Sequence, residues 1–251
     1  MANRGVAMEP ALYLYGISRS AGSKSAKLSN TGIDGVHPVQ RVTCGEFICW
    51  VSAVDRTGFS EEITRNKENL EWLALHSVRH QQVVAEIAAK NAIVPARFGT
   101  IFSSEPALLK NVESRKTALG KVFSRITDAD EWGVKVFAEQ PAASEPPSEV
   151  HSGKEYLQQK AARLKRRPDR DDAGLSELSA ELEKIASHSA PSGKISGVQP
   201  NLLWQATFLV PRGRRKQWDK ALQGFVKKWG SSRRIEINGP WPPYSFVSDA
   251  E

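Results

Sequence analysis

Apolar residues near the start of the chain form the alternating patterns and short continuous runs that are typical of strands. The run ALYLYGI at 11–17 is apolar and aromatic, which predicts a buried strand. The segment 39–54 predicts two further strands that turn at Cys44 and Gly45. A stretch rich in Ser and Gly at 18–35 predicts a long loop between them. The chain is therefore expected to begin with a small mixed sheet.

Helical periodicity follows. From about 68 to 90, Leu73, His76, His80, Val83 and Ile87 step by three and four positions, so they share one face of a predicted helix. This face is expected to pack on the sheet.

Two more elements are predicted before the middle of the chain. The segment 92–102 is β-branched around Pro95, which predicts an edge strand or an extended loop. A further helix is predicted at 104–126, with Ser104 as its N-cap and Pro106 in its first turn.

The second half of the chain repeats strands and helices in a different order. Strands are predicted at 131–138, 201–211 and 233–239, and helices at 151–167, 174–188 and 213–229. The resulting order (strand, helix, helix, strand, helix, strand) resembles the split β-α-β arrangement of ferredoxin-like folds. We therefore predict an α+β protein with two domains, 1–128 and 129–251, the second a modified ferredoxin-like domain with a variable segment at about 166–200.

Composition is that of a packed globular protein, with 251 residues, 40% hydrophobic and 25% charged. No apolar run approaches the roughly 20 residues of a membrane span, and the N-terminus lacks the apolar core of a signal peptide. A cytoplasmic protein is expected. Cys44 and Cys49 are accordingly expected to be free, buried thiols rather than a disulfide.

The net charge of +7 is concentrated in one stretch. Residues 200–238 contain nine basic and two acidic residues, and the rest of the chain is balanced. The stretch predicts an acidic partner surface or nucleic acid, unless it is only a solvated helix face. The candidate partner-binding residues are Arg212, Arg214, Arg215, Lys216, Lys220, Lys227 and Lys228.

Aromatic residues accompany these cations, and the combination can bind RNA phosphate and stack bases. Trp218, Phe225 and Trp229 nevertheless fall on a single helical face, which favours packing on a sheet over base stacking. Nucleic-acid binding through 212–234 is therefore kept as the alternative function rather than the leading one.

Known catalytic and metal-binding motifs are missing from the sequence. His76 and His80 have the i, i+4 spacing of metal ligands, but Ser77 stands where a zinc protease has Glu, so a packed histidine pair is favoured over a metal. In PARFGT (95–100), Arg97 could bind an anion, although pairing within the protein is favoured. Phosphate-binding loops and nucleophile elbows do not occur. No enzyme activity, metal or cofactor is predicted.

The segment GPWPPYSFV (239–247) is stiff and apolar near the end of the chain. Because proline cannot donate to a sheet ladder, the preceding strand is expected to stop near Gly239. Large aromatic side chains are costly to leave in water, so the segment is expected to dock, on its own domains or on a partner. The docking residues are Pro240, Trp241, Pro242, Pro243, Tyr244 and Phe246.

Taken in order, several stretches resemble the gas vesicle protein F/L family from Leu12 to Val247. They are YLYGI, the helix carrying Leu73, His76 and Val83, VPARFGT, EWGVKVF, GKEYL, NLLWQATFLVP and GPWPPYSFV. The motif positions carried over from the family are His76, Arg97, Phe98 and Gly99. The chain departs from the family pattern at 166–200 and at Trp204 and Gln205.

The resemblance implies a function as well as a fold. It implies a two-domain α+β protein with a ferredoxin-like C-terminal domain and no catalytic activity. It further implies a minor gas vesicle component or assembly factor, in the cytoplasm or on the vesicle. Its partners would be the small, very hydrophobic shell protein, whose aggregation it would help to prevent, and other minor gas vesicle proteins.

Overall fold

The computed structural model shows an α+β protein with nine strands and five helices in its described part. It describes residues 10–20, 31–55, 59, 61, 65–66, 68–139, 173–191, 199 and 201–248. The chain divides into two compact units. The first unit consists of Met1–Asp128 together with Trp241–Glu251, and the second is Ala129–Pro240.

A five-stranded sheet forms the base of the first unit. Its strands are β1 (Pro10–Arg19), β2 (Gln40–Cys44), β3 (Phe47–Asp55), β4 (Ile93–Pro95) and β5 (Ile101–Phe102). They run in the order β2-β3-β1-β4, and β5 also pairs with β1. All of these pairs are antiparallel, whereas a mixed sheet was expected. The difference arises because β1 lies between β3 and β4, so the two strands joined by a helix are not neighbours.

The described part of the first unit contains three helices, and the second of them begins at the predicted cap, Ser104. They are α1 (Leu70–Ala88), α2 (Glu105–Ser114) and α3 (Lys116–Ile126). The side chain of Ser104 accepts a hydrogen bond from the backbone N–H of Ala107 at 3.3 Å, as an N-cap should. The single helix predicted at 104–126 is in fact two, because the backbone leaves helical geometry at Arg115 (φ −105°, ψ 9°).

The second unit carries a four-stranded sheet with two helices. Its elements are β6 (Ala129–Ala138), α4 (Ala173–Ile185), β7 (His188–Pro191), β8 (Leu202–Pro211), α5 (Arg215–Trp229) and β9 (Arg233–Trp241). The strand order is β7-β8-β6-β9. The helix predicted at 151–167 lies outside the described residues. Strand β7 was not predicted: His188 was assigned to the end of the helix 174–188 and the following residues, from 189 to 200, to a soft segment. The sequence HSAP carries no apolar alternation that would predict a strand, and its side chains are mostly exposed.

The spacing of Leu175, Leu178, Leu182 and Ile185 predicts an apolar face on α4, and this face and the predicted face of α5 are both buried. Leu178 and Leu182 of α4 and Trp218 and Leu222 of α5 are buried in one core cluster with Phe208 of β8. Val226 was expected to point inward as well, but its side chain is 49% exposed. At about 100° per residue, Val226 falls about 80° from Trp218 around the helix, at the edge of the apolar face.

Strand β9 does not stop at Gly239 as predicted but continues to Trp241. It is an edge strand of the sheet formed by the described strands, and an edge tolerates Pro240 because the missing N–H can face outward. Gly239 has φ +138°, and a Cβ there would lie 2.8 Å from the carbonyl oxygen of Glu131 and 2.9 Å from the Trp132 ring.

Gly239→Ala is therefore expected to lower the free energy of unfolding by about 1–3 kcal/mol, because it combines a disfavoured backbone conformation with a close contact. Urea denaturation of the purified variants measures it. Gly213→Ala is the matched control, since a Cβ at Gly213 meets nothing within 4 Å. Equal stability of the two variants would contradict the conclusion that residue 239 must be glycine for its backbone conformation and close contacts.

Candidate partner-binding surface

The cations at the start of α5 and along it separate into two groups. In the first group, each side chain is held within the second unit. Arg212 donates from Nε and Nη2 to Asp130, the latter at 3.0 Å. Arg214 donates to the carbonyl oxygen of Ile185 at 3.3 Å.

Two further members of this group lie on α5 itself. Arg215 donates from Nε to Asp219 at 2.8 Å, and its guanidinium lies 3.6 Å from the centre of the Trp132 ring. Lys228 is paired with Glu177. The charges of Arg212, Arg215 and Lys228 are therefore partly neutralised by carboxylates before a partner arrives.

Lys216, Lys220 and Lys227 form the second group, which we term the lysine row. All three are exposed and make no ion pair or side-chain hydrogen bond with another described residue. At about 100° per residue, their positions fall within roughly 40° of one another around the helix. The predicted basic surface thus reduces to one line of three unpaired charges.

A groove of about 580 Å³ runs between α4 and α5 and adjoins this row at Lys220. Ile185, Ala221 and Phe225 contribute apolar surface to it. Glu177 and Glu181 lie on the α4 side. The lysine row therefore borders a surface of mixed chemistry rather than a uniformly charged one.

The aromatic residues that could have stacked bases are not available at this surface. Trp218, Phe225 and Phe208 are buried in the core of the second unit, and Trp204 and Trp229 pack against that core. Stacking on exposed aromatic rings is a main source of affinity for single-stranded nucleic acid. In the described part of this surface, nucleic-acid binding would therefore rely on the charges of α5.

The segment 239–247 divides into an exposed and a buried part. Trp241 is 54% exposed, whereas Phe246 and Val247 are buried and belong to the first unit. The guanidinium of Arg125 donates to the carbonyl oxygen of Phe246 at 2.6 Å. The hydroxyl of Tyr244 lies 3.3 Å from Nε2 of His80. Of the docking residues predicted here, Pro240 and Trp241 are exposed, whereas Pro242, Pro243 and Phe246 are buried and Tyr244 is partly buried.

His80 is the centre of a buried hydrogen-bond network in the first unit. Its Nε2 lies 3.2 Å from the carbonyl oxygen of Ala96, which can only accept, so Nε2 carries the proton. In the neutral ring Nδ1 is then an acceptor, and the Tyr13 hydroxyl donates to it at 2.9 Å. The same hydroxyl accepts from the N–H of Gly99 at 3.1 Å. Both ring nitrogens of His80 thus have a partner while the ring is neutral, and the Tyr244 hydroxyl lies close enough to Nε2 to accept a second, longer hydrogen bond from it.

Burial lowers the pKa of His80 to about 4, although its hydrogen bond to Ala96 acts in the opposite direction. Burial also raises the pKa of Tyr13 and raises that of Tyr15 to about 12. These groups therefore stay neutral near neutral pH, and nothing in their protonation suggests acid–base catalysis.

His76 has a different environment from His80. Its ring stacks on Trp72 at 3.9 Å between ring centroids, and its Nδ1 lies 2.8 Å from the carbonyl oxygen of Trp72. Among the described residues, no cluster of His, Cys, Asp and Glu has the composition of a metal site.

Cys44 and Cys49 are free thiols, and burial raises the pKa of Cys49 to about 12.

The PARFGT loop joins β4 to β5 along the edge of β1. The carbonyl oxygen of Arg97 accepts from the Thr100 hydroxyl at 2.7 Å and from its N–H at 3.2 Å. Gly99 has φ +84°, and the Phe98 ring lies edge-on to Tyr13 and His80. The loop thus holds Phe98 toward the core and leaves Arg97 exposed.

The tyrosines of β1 and Tyr244 were not identified as parts of this network from sequence. A signal was present, because Tyr13 and Tyr15 lie in an otherwise apolar predicted strand, and a buried hydroxyl needs a hydrogen-bond partner. The identity of those partners depends on tertiary structure.

The fold defines the class of protein. The crystal structure of the gas vesicle protein GvpF from Anabaena sp. PCC7120 matches it with a TM-score of 0.68 at 19% identity, over 95% of this chain and 96% of that chain. The protein thus has a GvpF-like two-sheet fold. No described helix is long and apolar enough to cross a membrane. The ferredoxin-like assignment of the second unit stays a prediction.

Sequence comparison identifies the family. A family model for the gas vesicle synthesis protein GvpL/GvpF matches residues 11–248, so the chain belongs to that family, as its motifs predicted. It is 29% identical to gas vesicle protein L of Streptomyces sp. (strain CB03234) over 95% of this chain and 93% of that protein. It is 27% identical to gas vesicle protein F of the same strain, over 94% and 98%.

Proposed function

We propose that this chain is a non-enzymatic gas vesicle assembly protein that binds the hydrophobic shell protein and other minor gas vesicle proteins in the cytoplasm. The observation that carries the proposal is the family match over residues 11–248. A small shell subunit that is prone to sheet aggregation needs its strand edges covered until it is incorporated.

Strand β9 offers a surface of the required kind. It lies at the edge of the described four-stranded sheet, and it exposes the side chain of Ile237 by 42%. A strand of the shell protein could add to this edge through backbone hydrogen bonds, with an apolar contact to Ile237. The edge of β9 is thus the proposed binding site for the shell protein.

The lysine row is the proposed site of electrostatic steering. Its charges are exposed, so they interact with acidic partner side chains at long range and are screened by salt. Arg212 and Arg215 are less suited to this role, because they already pair with Asp130 and Asp219.

Reversal of the lysine row is expected to weaken binding of the shell protein about tenfold at low salt. The variant Lys216→Glu, Lys220→Glu, Lys227→Glu is compared with the wild type by co-purification with tagged shell protein. Binding by the wild type should itself fall as salt is raised.

The matched control reverses three exposed lysines of the first unit, Lys90, Lys110 and Lys121, and so changes the net charge by the same amount. It should bind like the wild type. If both variants lose affinity for the shell protein equally, only the net charge matters. If both retain it equally, the lysine row does not take part in binding. If RNA competes with the shell protein in the wild type but not in the row variant, the nucleic-acid alternative is favoured.

A further inference from the structure

We propose that the first unit contains a binding pocket for a carboxylate attached to an apolar body, in the form found at the C-terminus of a peptide. The pocket is a cavity of about 320 Å³ beside the PARFGT loop, between the sheet edge and helices α2 and α3. Neither the lysine row nor β9 contributes to it, so this proposal is independent of the proposed function.

The walls of the pocket are apolar. Ile17 of β1, Val94 of β4 and Leu119 of α3 are buried side chains that line it, and Phe102 of β5 adds a half-buried ring. A cavity of this size is at the small end of ligand pockets, which suits one or two amino-acid residues rather than a cofactor. The walls therefore select an apolar side chain.

Two arginines reach the pocket from different elements. Arg97 comes from the loop between β4 and β5, and Arg115 from the break between α2 and α3. The residues that line the pocket include no Asp or Glu. Two guanidinium groups that meet at one pocket, next to apolar walls, can together bind an anion.

Both arginines lie at well-defined points of the backbone. The carbonyl oxygen of Arg97 is held by two hydrogen bonds from Thr100, and the helical geometry is interrupted at Arg115 itself. Each guanidinium has five N–H donors in a planar fork, so an arginine that already bonds within the unit can also donate to a ligand carboxylate.

The side chain of Asn111 is the feature that favours a peptide C-terminus over a simple carboxylic acid as the ligand. Its side-chain oxygen Oδ1 is buried, lines the pocket region and has no hydrogen-bond partner among the described residues. Such an acceptor is costly to bury unless something donates to it. The last residue of a peptide supplies both groups: an amide N–H for Asn111 and a carboxylate for Arg97 and Arg115.

N-acetyl-leucine and N-acetyl-leucinamide form a matched pair of probes for the intact chain in calorimetric titration. The acid is expected to bind about tenfold more tightly than the amide, because only the acid makes charge-assisted hydrogen bonds. Arg97→Gln and Arg115→Gln should each reduce affinity for the acid by a similar factor. Arg65→Gln, an exposed position with an ion pair to Glu61, should leave it unchanged.

Thermal unfolding of each variant separates loss of the site from loss of the fold, and Arg97→Lys keeps the charge if a glutamine variant does not fold. Equal binding of acid and amide, no binding of either, or full binding by folded glutamine variants would overturn the proposal.

A pentapeptide ending in leucine with a free carboxylate identifies the source of the ligand. Tighter binding of the peptide than of N-acetyl-leucine assigns the pocket to a protein C-terminus, and equal binding assigns it to a small carboxylic acid. The Arg97→Gln variant should still bind the shell protein. Such a result would show that the carboxylate pocket and the proposed shell-protein binding can be tested independently of each other.

Discussion

Phe246→Ala is expected to lower the free energy of unfolding by about 3 kcal/mol, because the ring is buried in the first unit at 6% exposure. Truncation removes apolar contacts and leaves a cavity that the surrounding core fills only in part. The hydrogen bond from Arg125 goes to the backbone carbonyl of residue 246 and is retained in the variant. The loss therefore reports the packing of the ring alone.

Urea denaturation of the wild type, Phe246→Ala and Trp241→Ala measures this effect. Trp241 comes from the same aromatic segment, but it is 54% exposed, so its removal should cost about 1 kcal/mol or less. A Trp241→Ala variant as unstable as Phe246→Ala would contradict the division of the segment into a buried and an exposed part.

Acidification from about pH 7 to about pH 5 is expected to remove about 2 kcal/mol of stability through His80. Burial lowers the pKa of this histidine from 6.5 to about 4 in the folded protein. Between these values the unfolded chain binds the proton and the folded protein does not. Stability is therefore complete above about pH 6.5 and falls as the pH decreases toward 4.

The physical reason lies in the network around the ring. Protonation of Nδ1 would place an N–H against the Tyr13 hydroxyl, which now donates to that atom and also accepts from Gly99. The hydroxyl would then lose the acceptor for its own proton. A buried donor without an acceptor is costly.

Comparison with His80→Gln isolates this contribution from other titrating groups. The glutamine amide can still donate to the Ala96 carbonyl but does not titrate. The variant should be less stable than the wild type at pH 7, yet its further loss on going to pH 5 should be smaller by about 2 kcal/mol. The same pH-dependent loss in both proteins would contradict the assigned neutral state of His80.

Periodicity in the sequence predicted much of the fold because apolar faces are local patterns. The buried sides of α1, α4 and α5 could be identified from their spacing, and Ser104 and Asn69 cap the helices that follow them. Only Asn69 was not named in advance. Strand β7 had no such pattern, because an edge strand with exposed side chains is defined by backbone pairing to β8.

The candidate surface was less predictable than the fold. Sequence identified seven cations near and on α5 but could not show which of them find carboxylates, because Asp130 and Glu177 lie far away along the chain. The lysine row emerges only after those pairs are known. Likewise, sequence identified Arg97 as an anion candidate, but its proximity to Arg115 and Asn111 depends on how α2 and α3 pack.

Light scattering by the gas vesicle shell protein, diluted from denaturant with and without this chain, tests the central claim most directly. The account predicts that an equimolar amount of the chain suppresses aggregation. Suppression should weaken when the lysine row is reversed, and it should be unaffected by reversal of Lys90, Lys110 and Lys121. Aggregation at the same rate with and without the wild-type chain, at both low and physiological salt, would contradict the proposal that the chain protects the shell protein.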